Sequence, residues 1–357
     1  MKKIICLLMA FILVFSLAAC GSTEDSSDNA EAEVETPDVS EKEEVEEEDD
    51  HNGYSYNRLT GEYDLDPELE GNRPIAVSVN NNSAGLPQKG ISEADIIYEI
   101  ETEGGITRLM AVYSDVSGIN YIGSVRSLRN QFLEAVLPLD AMIVHIGGSN
   151  PALSALSTYG YATLNGYYAP DVEQDSSRTA YYASEHTWMT NEELIQKGID
   201  YFDMRTTTDD TDSAFNFSDS ASLDGGTCTK LNFSFSSSYD GEFTYDETTG
   251  LYTASQHGKE RYDANTGDTL TFKNVFILSA AKTGFYSGTV SPIFDYSQGG
   301  TGWYISGGKY ETFTWTKPTY SDNFTFYGAD GKELEVNPGN SYVGIINNGQ
   351  EATVTIS

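Results

Sequence analysis

A set of polar residues falls where predicted strands end or turn: Glu99, Glu103, Arg108, Arg126, Arg129, His145 and Ser149. Such positions expose side chains that a rigid scaffold holds in place, so ligand-contacting groups concentrate there. Arg126 and Arg129 are three apart, and a helical segment would put both on one face to clamp a phosphate or carboxylate bidentately. His145 closes an apolar run ahead of Gly147 and Gly148, a place from which it could act as general acid or base near neutral pH. Plainer roles are open to each. Arg126 can pair with Glu99 or Glu103, His145 can be a hydrogen-bonded scaffold ring, and Ser149 suits a helix N-cap.

Stronger chemical motifs are missing. There is no glycine-rich phosphate loop ending in Lys-Ser or Lys-Thr, no His-Glu-x-x-His, no Gly-x-Ser-x-Gly and no Cys-x-x-Cys. The run Asp263-x-Asn265-x-Gly267-Asp268 has its glycine one place early for a calcium loop and no closing glutamate, so it reads as a β-turn. Asp209, Asp210 and Asp212 read as a solvated linker. No cofactor and no metal is expected.

The elements that must position these residues follow from pattern. Residues 75–79 alternate as a strand, 96–100 and 107–113 are apolar runs of strand length, and 141–145 is a further strand. A helix is expected from about residue 130 to 137, and another opens at Ser149 or Asn150 with Pro151 in its first turn. A third is capped by Thr190 with Glu193 and stopped by Gly198. Order is expected to begin near Asn72. After the polar stretch 206–213 the texture turns to short aromatic strands, with turns at Asp240-Gly241, Thr249-Gly250, Gly307-Gly308 and Asp330-Gly331. The fold class is therefore α+β: an N-terminal mixed sheet with flanking helices over 58–205, then a mostly antiparallel, β-rich part over 215–357.

Composition bounds the partners. The 55 acidic residues against 20 basic ones give a net charge of -35, which argues against nucleic acid and anionic membrane surfaces. Met1-Lys2-Lys3 leads an apolar stretch from Ile4 to Leu17, a signal-peptide layout shorter than the about 20 residues a membrane span needs. Leu17-Ala18-Ala19-Cys20-Gly21 resembles a lipobox, which implies removal of residues 1–19 and diacylglycerol on the Cys20 thiol. Two or three acyl chains then hold the protein to a membrane, on its extracytoplasmic face. Residues 20–57, rich in Glu and Asp, read as a disordered acidic spacer reaching roughly 35 Å. With Cys6 lost and Cys20 modified, Cys228 is left without a disulfide partner in the mature chain and reads as a small buried residue.

Several segments together resemble one bacterial family. Arg73-Pro74-Ile75-Ala76-Val77, Ala94-Asp95-Ile96-Ile97-Tyr98-Glu99, Glu103-Gly104-Gly105-Ile106-Thr107-Arg108, residues 122–129 and His145-Ile146-Gly147-Gly148-Ser149 stand in the order of the YerB-like lipoproteins. The resemblance continues through Ser177-Arg178-Thr179 and Ser184-Glu185-His186-Thr187, adding Arg178 and His186 as ligand-binding candidates. Glu185 stands where the family often has proline. Tyr262-Asp263-Ala264-Asn265-Thr266-Gly267, residues 274–277 and 331–339 extend it to the C-terminal half. It implies two domains of unknown function carried by a lipoprotein.

Two functions suit this layout. One is a cell-envelope binding protein with an anion-recognising cleft between its halves, offered to an envelope polymer, peptide or protein; the 24 tyrosines suit such contacts. The other is an envelope hydrolase or transferase acting on a phosphate-containing or glycan substrate. Replacing Cys20 by alanine should leave the protein as soluble or uncleaved precursor on membrane fractionation; mature protein still in the membrane fraction would overturn the anchor.

Overall fold

The computed structural model describes residues 51–357; the signal segment, Cys20 and the acidic run up to Asp50 lie outside them. The large sheet begins with Ile75–Asn80 (β1), Ile96–Glu101 (β2) and Thr107–Tyr113 (β3), buried at every position. That burial explains why they read as apolar runs. Strand β3 runs antiparallel to both β1 and β2, and Met142–His145 (β4) adds to β1 in parallel.

In the second half, Lys230–Ser234 (β5), Asp240–Asp246 (β6) and Leu251–Gln256 (β7) form an antiparallel meander. Asn274–Phe285 (β8), Gly300–Ser306 (β9) and Lys309–Thr316 (β10) form another. Ser341–Asn347 (β11) lies between β8 and β2, parallel to both. The two halves thereby contribute to one 12-stranded sheet among the described residues, with a separate six-stranded sheet built around β5 to β7. The body is α+β, a mixed sheet with helices giving way to mostly antiparallel strands.

Alternation sorts side chains to the two faces of the large sheet. Ile96, Tyr98 and Ile100 of β2 pack with Phe132 and Leu133 of Asn130–Val136 (α1) and Leu156 of Asn150–Tyr159 (α2). Ile97 faces the other way, toward Phe233, Phe243 and Tyr252 of the smaller sheet and Ile195 and Ile199 of Glu192–Phe202 (α3).

Several local expectations move. Order begins before Asn72: Ser55–Asn57 pairs with Glu62–Leu65, Leu59 is fully buried, and Asn57 donates to Ser114 at 2.9 Å. The last residues assigned to the spacer thus belong to the body, because Leu59 anchors them in its core. Asn191, not Thr190, caps α3, and Gly198 lies inside that helix, where a Cβ would come within 2.7 Å of Asp171. The glycine permits close packing; Asp203 in the left-handed region ends the helix. Asp240-Gly241 opens β6, since Gly241 lets the Phe233 ring lie against the backbone.

Glu99, 1% exposed, holds the smaller sheet to the larger one. It accepts from Asn81 Nδ2 (2.9 Å), Thr107 Oγ1 (2.7 Å), Arg261 NH1 (2.9 Å), Tyr342 OH (3.0 Å) and Gln256 Nε2 (3.4 Å). Glu99→Ala leaves Arg261 buried and unpaired, and chemical denaturation should show a loss of about 3–5 kcal/mol. A loss below about 1 kcal/mol would show that the pair does not hold the sheets together.

Candidate functional site

Beyond β2 the chain makes a tight turn over Glu103–Gly105, with Gly104 and Gly105 at φ 69° and 80°. This turn delivers Glu103 beside the start of β3. Arg108, 3% exposed, lies on the helix-covered face of β3 with Met110 and Val112. Arg126 comes from an extended segment, its N–H bonded to Ser78 O at 2.7 Å, and Arg129 is the N-cap residue of α1 with φ -125° and ψ 150°. The 126–129 segment is thus not helical. The two arginines meet because the chain passes along one cleft, not because they share a helix face.

That cleft, about 780 Å³, is lined by Glu103, Arg108, Arg126, Arg129 and Ser149 from the first half, and by Tyr286 and Ser291 from the second. Ser149 also caps α2, accepting from Ala152 N–H at 3.4 Å. Arg129 Nε donates to Glu103 Oε1, Ser291 Oγ donates to the same atom at 2.6 Å, and Arg108 NH2 lies 3.9 Å from Glu103 Oε2. Burial alone would raise the Glu103 pKa, but the Arg129 and Ser291 hydrogen bonds, with the charges of Arg129 and Arg108, hold it down to about 2. Burial, and then the charge of Arg129, pushes Arg108 down to about 9. Arg126 gives NH1 to Glu185 O at 2.7 Å, while its buried Nε has no partner among the described residues. Arg108 and Arg129 therefore share the one cleft-lining carboxylate while Arg126 stands beside them without it, an excess of positive charge suited to a multivalent anion.

The other candidates lie elsewhere. Glu99 faces the opposite side of the sheet, bound to Arg261. His145 is fully buried, its Nδ1–H donating to Gly147 O at 2.6 Å and its Nε2 accepting from Thr163 Oγ1 at 2.8 Å. Burial, opposed by the Gly147 carbonyl, lowers its pKa to about 4. A neutral ring with both nitrogens engaged is a scaffold element, so the acid–base role foreseen for it is withdrawn. Arg178 braces a loop through Ala84 O (2.8 Å) and stacks over Tyr182 at 4.7 Å. His186 takes a hydrogen bond at Nδ1 from Asn80 Nδ2 at 2.9 Å. Neither lines the cleft.

Sequence reasoning passed over Tyr286, Ser291, Glu134 and Lys317. The last two line a neighbouring cavity of about 430 Å³ that shares Tyr286 with the cleft. Burial pushes Glu134 up to about 7 and Lys317 down to about 8. A lone glutamate in a short helix carries no signal of such an environment. Among the described residues no three His, Cys, Asp or Glu side chains gather to hold a metal. Cys228 is buried and its thiol is pushed up to about 11.

Because the His145 pKa is depressed in the fold, the unfolded chain binds more protons between about pH 4 and 6.5. Its stabilising contribution is present above 6.5 and is lost as pH falls toward 4. Imidazole NMR signals of His145 should stay constant from pH 8 to about 5; titration near 6.5 would show a solvent-accessible ring able to exchange protons.

Comparison with known proteins agrees with this architecture. Residues 59–205 match the family model described as "Protein of unknown function (DUF3048) N-terminal domain", and residues 230–343 match its C-terminal counterpart. The chain is 28% identical over 213 residues to "Putative lipoprotein YerB" of Bacillus subtilis (strain 168), covering 58% of this chain and 62% of that protein, under two thirds of its length. The crystal structure of YerB protein from Bacillus subtilis aligns with a TM-score of 0.74 at 24% identity, over 85% of this chain and 99% of that one, a likeness of fold. The chain belongs to the DUF3048 family, with both its N- and C-terminal domains, and is a homologue of YerB.

Proposed function

We propose that this chain is a lipid-anchored, extracytoplasmic binding protein whose arginine cleft recognises an anionic group on an envelope polymer, peptide or protein. The observation that carries the reading is the convergence of Arg108, Arg126 and Arg129 around Glu103 in an open cleft. In a protein of net charge -35, a local excess of buried positive charge is costly unless an anion answers it. Anchoring rests on the Cys20 lipobox and on likeness to a relative whose name calls it a lipoprotein; no helix among the described residues is long and apolar enough to cross a membrane. Nucleic acid is not an expected partner.

A second reading, an envelope hydrolase or transferase acting on a phosphate-containing or glycan substrate, draws on Glu134 and Lys317. Their shifted ionisations fall near neutral pH, as acid–base chemistry requires, in a cavity that adjoins the arginine cleft at Tyr286.

Inorganic phosphate should raise the melting temperature of the full chain, less so at high salt. Arg126→Ala should weaken phosphate binding about 10-fold or more, the worth of one charged hydrogen bond. Arg126 suits the test because it lines the cleft without pairing with Glu103. An equal thermal shift in the variant would remove Arg126 from the site.

A further inference from the structure

Arg126 borders two spaces. It lines the arginine cleft and also a smaller, polar cavity of about 230 Å³, whose walls include Ser127, Tyr167, Ser184, Glu185 and Trp188. Its NH1 donates to Glu185 O at 2.7 Å, which holds the guanidinium at the boundary. At about 30 Å³ of liquid per water molecule, the smaller cavity has room for one ring of a ligand whose remainder lies in the cleft.

Tyr167 gives that ring a surface to rest on. Its side chain is 70% exposed, yet the fold fixes where it stands. Asn165, 8% exposed, accepts with the same Oδ1 from Gly147 N–H at 3.0 Å and from Tyr167 N–H at 3.2 Å. The aromatic ring rests against Gly147, where a Cβ would come within 2.4 Å of Tyr167 Cε2. The next residues, Gly148 and Ser149, line the arginine cleft. The ring therefore stands at the edge of the cleft, near enough for its phenol to bear on the charge of Arg126. An aromatic face already held in position takes up a ligand without a further ordering cost.

The surroundings of the two spaces differ in sign. A carboxylate only accepts hydrogen bonds, and a serine hydroxyl both donates and accepts, so Glu185 and Ser184 suit a partner rich in hydroxyl groups. Glu185 also disfavours a second anion there. In the cleft, positive charge is in excess around Glu103. A ligand that answers both is neutral, hydroxyl-bearing and flat-faced at one end and anionic at the other. Resting on the reading of the cleft as an anion site, we propose that Arg126 and Arg129 hold the phosphate of a glycosyl phosphate whose pyranose ring stacks on Tyr167.

Calorimetric titration of the full chain with glucose 1-phosphate, methyl phosphate, glucose and N-acetylphosphoserine amide tests this. The first two carry the same phosphate monoester, so their difference reports the sugar. Glucose 1-phosphate should bind about 5-fold tighter than methyl phosphate, the worth of one stacked ring, and glucose should bind more weakly than either. Tyr167→Ala, at an exposed position outside the core, should erase the preference for the sugar phosphate. Equal affinity for the two phosphates, a preference that survives Tyr167→Ala, or tighter binding of the phosphoserine amide, which would mark an acidic peptide site, overturns the sugar assignment and leaves the anion cleft standing. If neither glucose 1-phosphate nor methyl phosphate binds, the reading of the cleft falls with it.

Discussion

The buried carboxylate of Glu99 is the constraint around which the body is organised. A charge at 1% exposure persists only when donors surround it, and here they come from four separate stretches of chain. Arg261 and Tyr342 lie 162 and 243 residues away in sequence. The satisfied charge therefore requires that β2, β7 and β11 be in place together. The parallel pairing of β11 with β2 and β8 extends the same dependence along the backbone.

This seam places chemistry on both faces of the sheet. Thr107 and Arg108 are neighbours on β3, yet Thr107 serves Glu99 while Arg108 serves the arginine cleft, because successive side chains point to opposite faces. On one face the positive charge of Arg261 is cancelled by Glu99. On the other, Glu103 is shared by Arg108 and Arg129 while Arg126 stands apart, and positive charge is left over. The two faces thus differ in their charge balance.

The cleft is a joint product of the halves for a related reason. Ser291 reaches Glu103 from the turn beyond β8, and Lys282 on β8 pairs with Glu101 at 2.7 Å. Both contacts exist only because β8 is carried alongside β2 by β11. Neither half by itself encloses the guanidinium groups.

Some of this was written locally and could be read before any fold was known. The apolar runs at 96–100 and 107–113, the Ser149 cap with Pro151 behind it and the acid-rich composition depend on nearest neighbours and period, so type and spacing suffice to identify them. Glu103 and Arg108 were also legible as residues beside the turn between two strands. Only the tertiary structure decided that Glu99 and His145 turn inward, that Arg126 and Arg129 meet without a helix, and that Tyr286 and Ser291 complete the cleft. Those outcomes depend on which face of which strand meets a partner more than a hundred residues away. Burial and pairing summed over the whole chain settle such matters, and no local pattern encodes them.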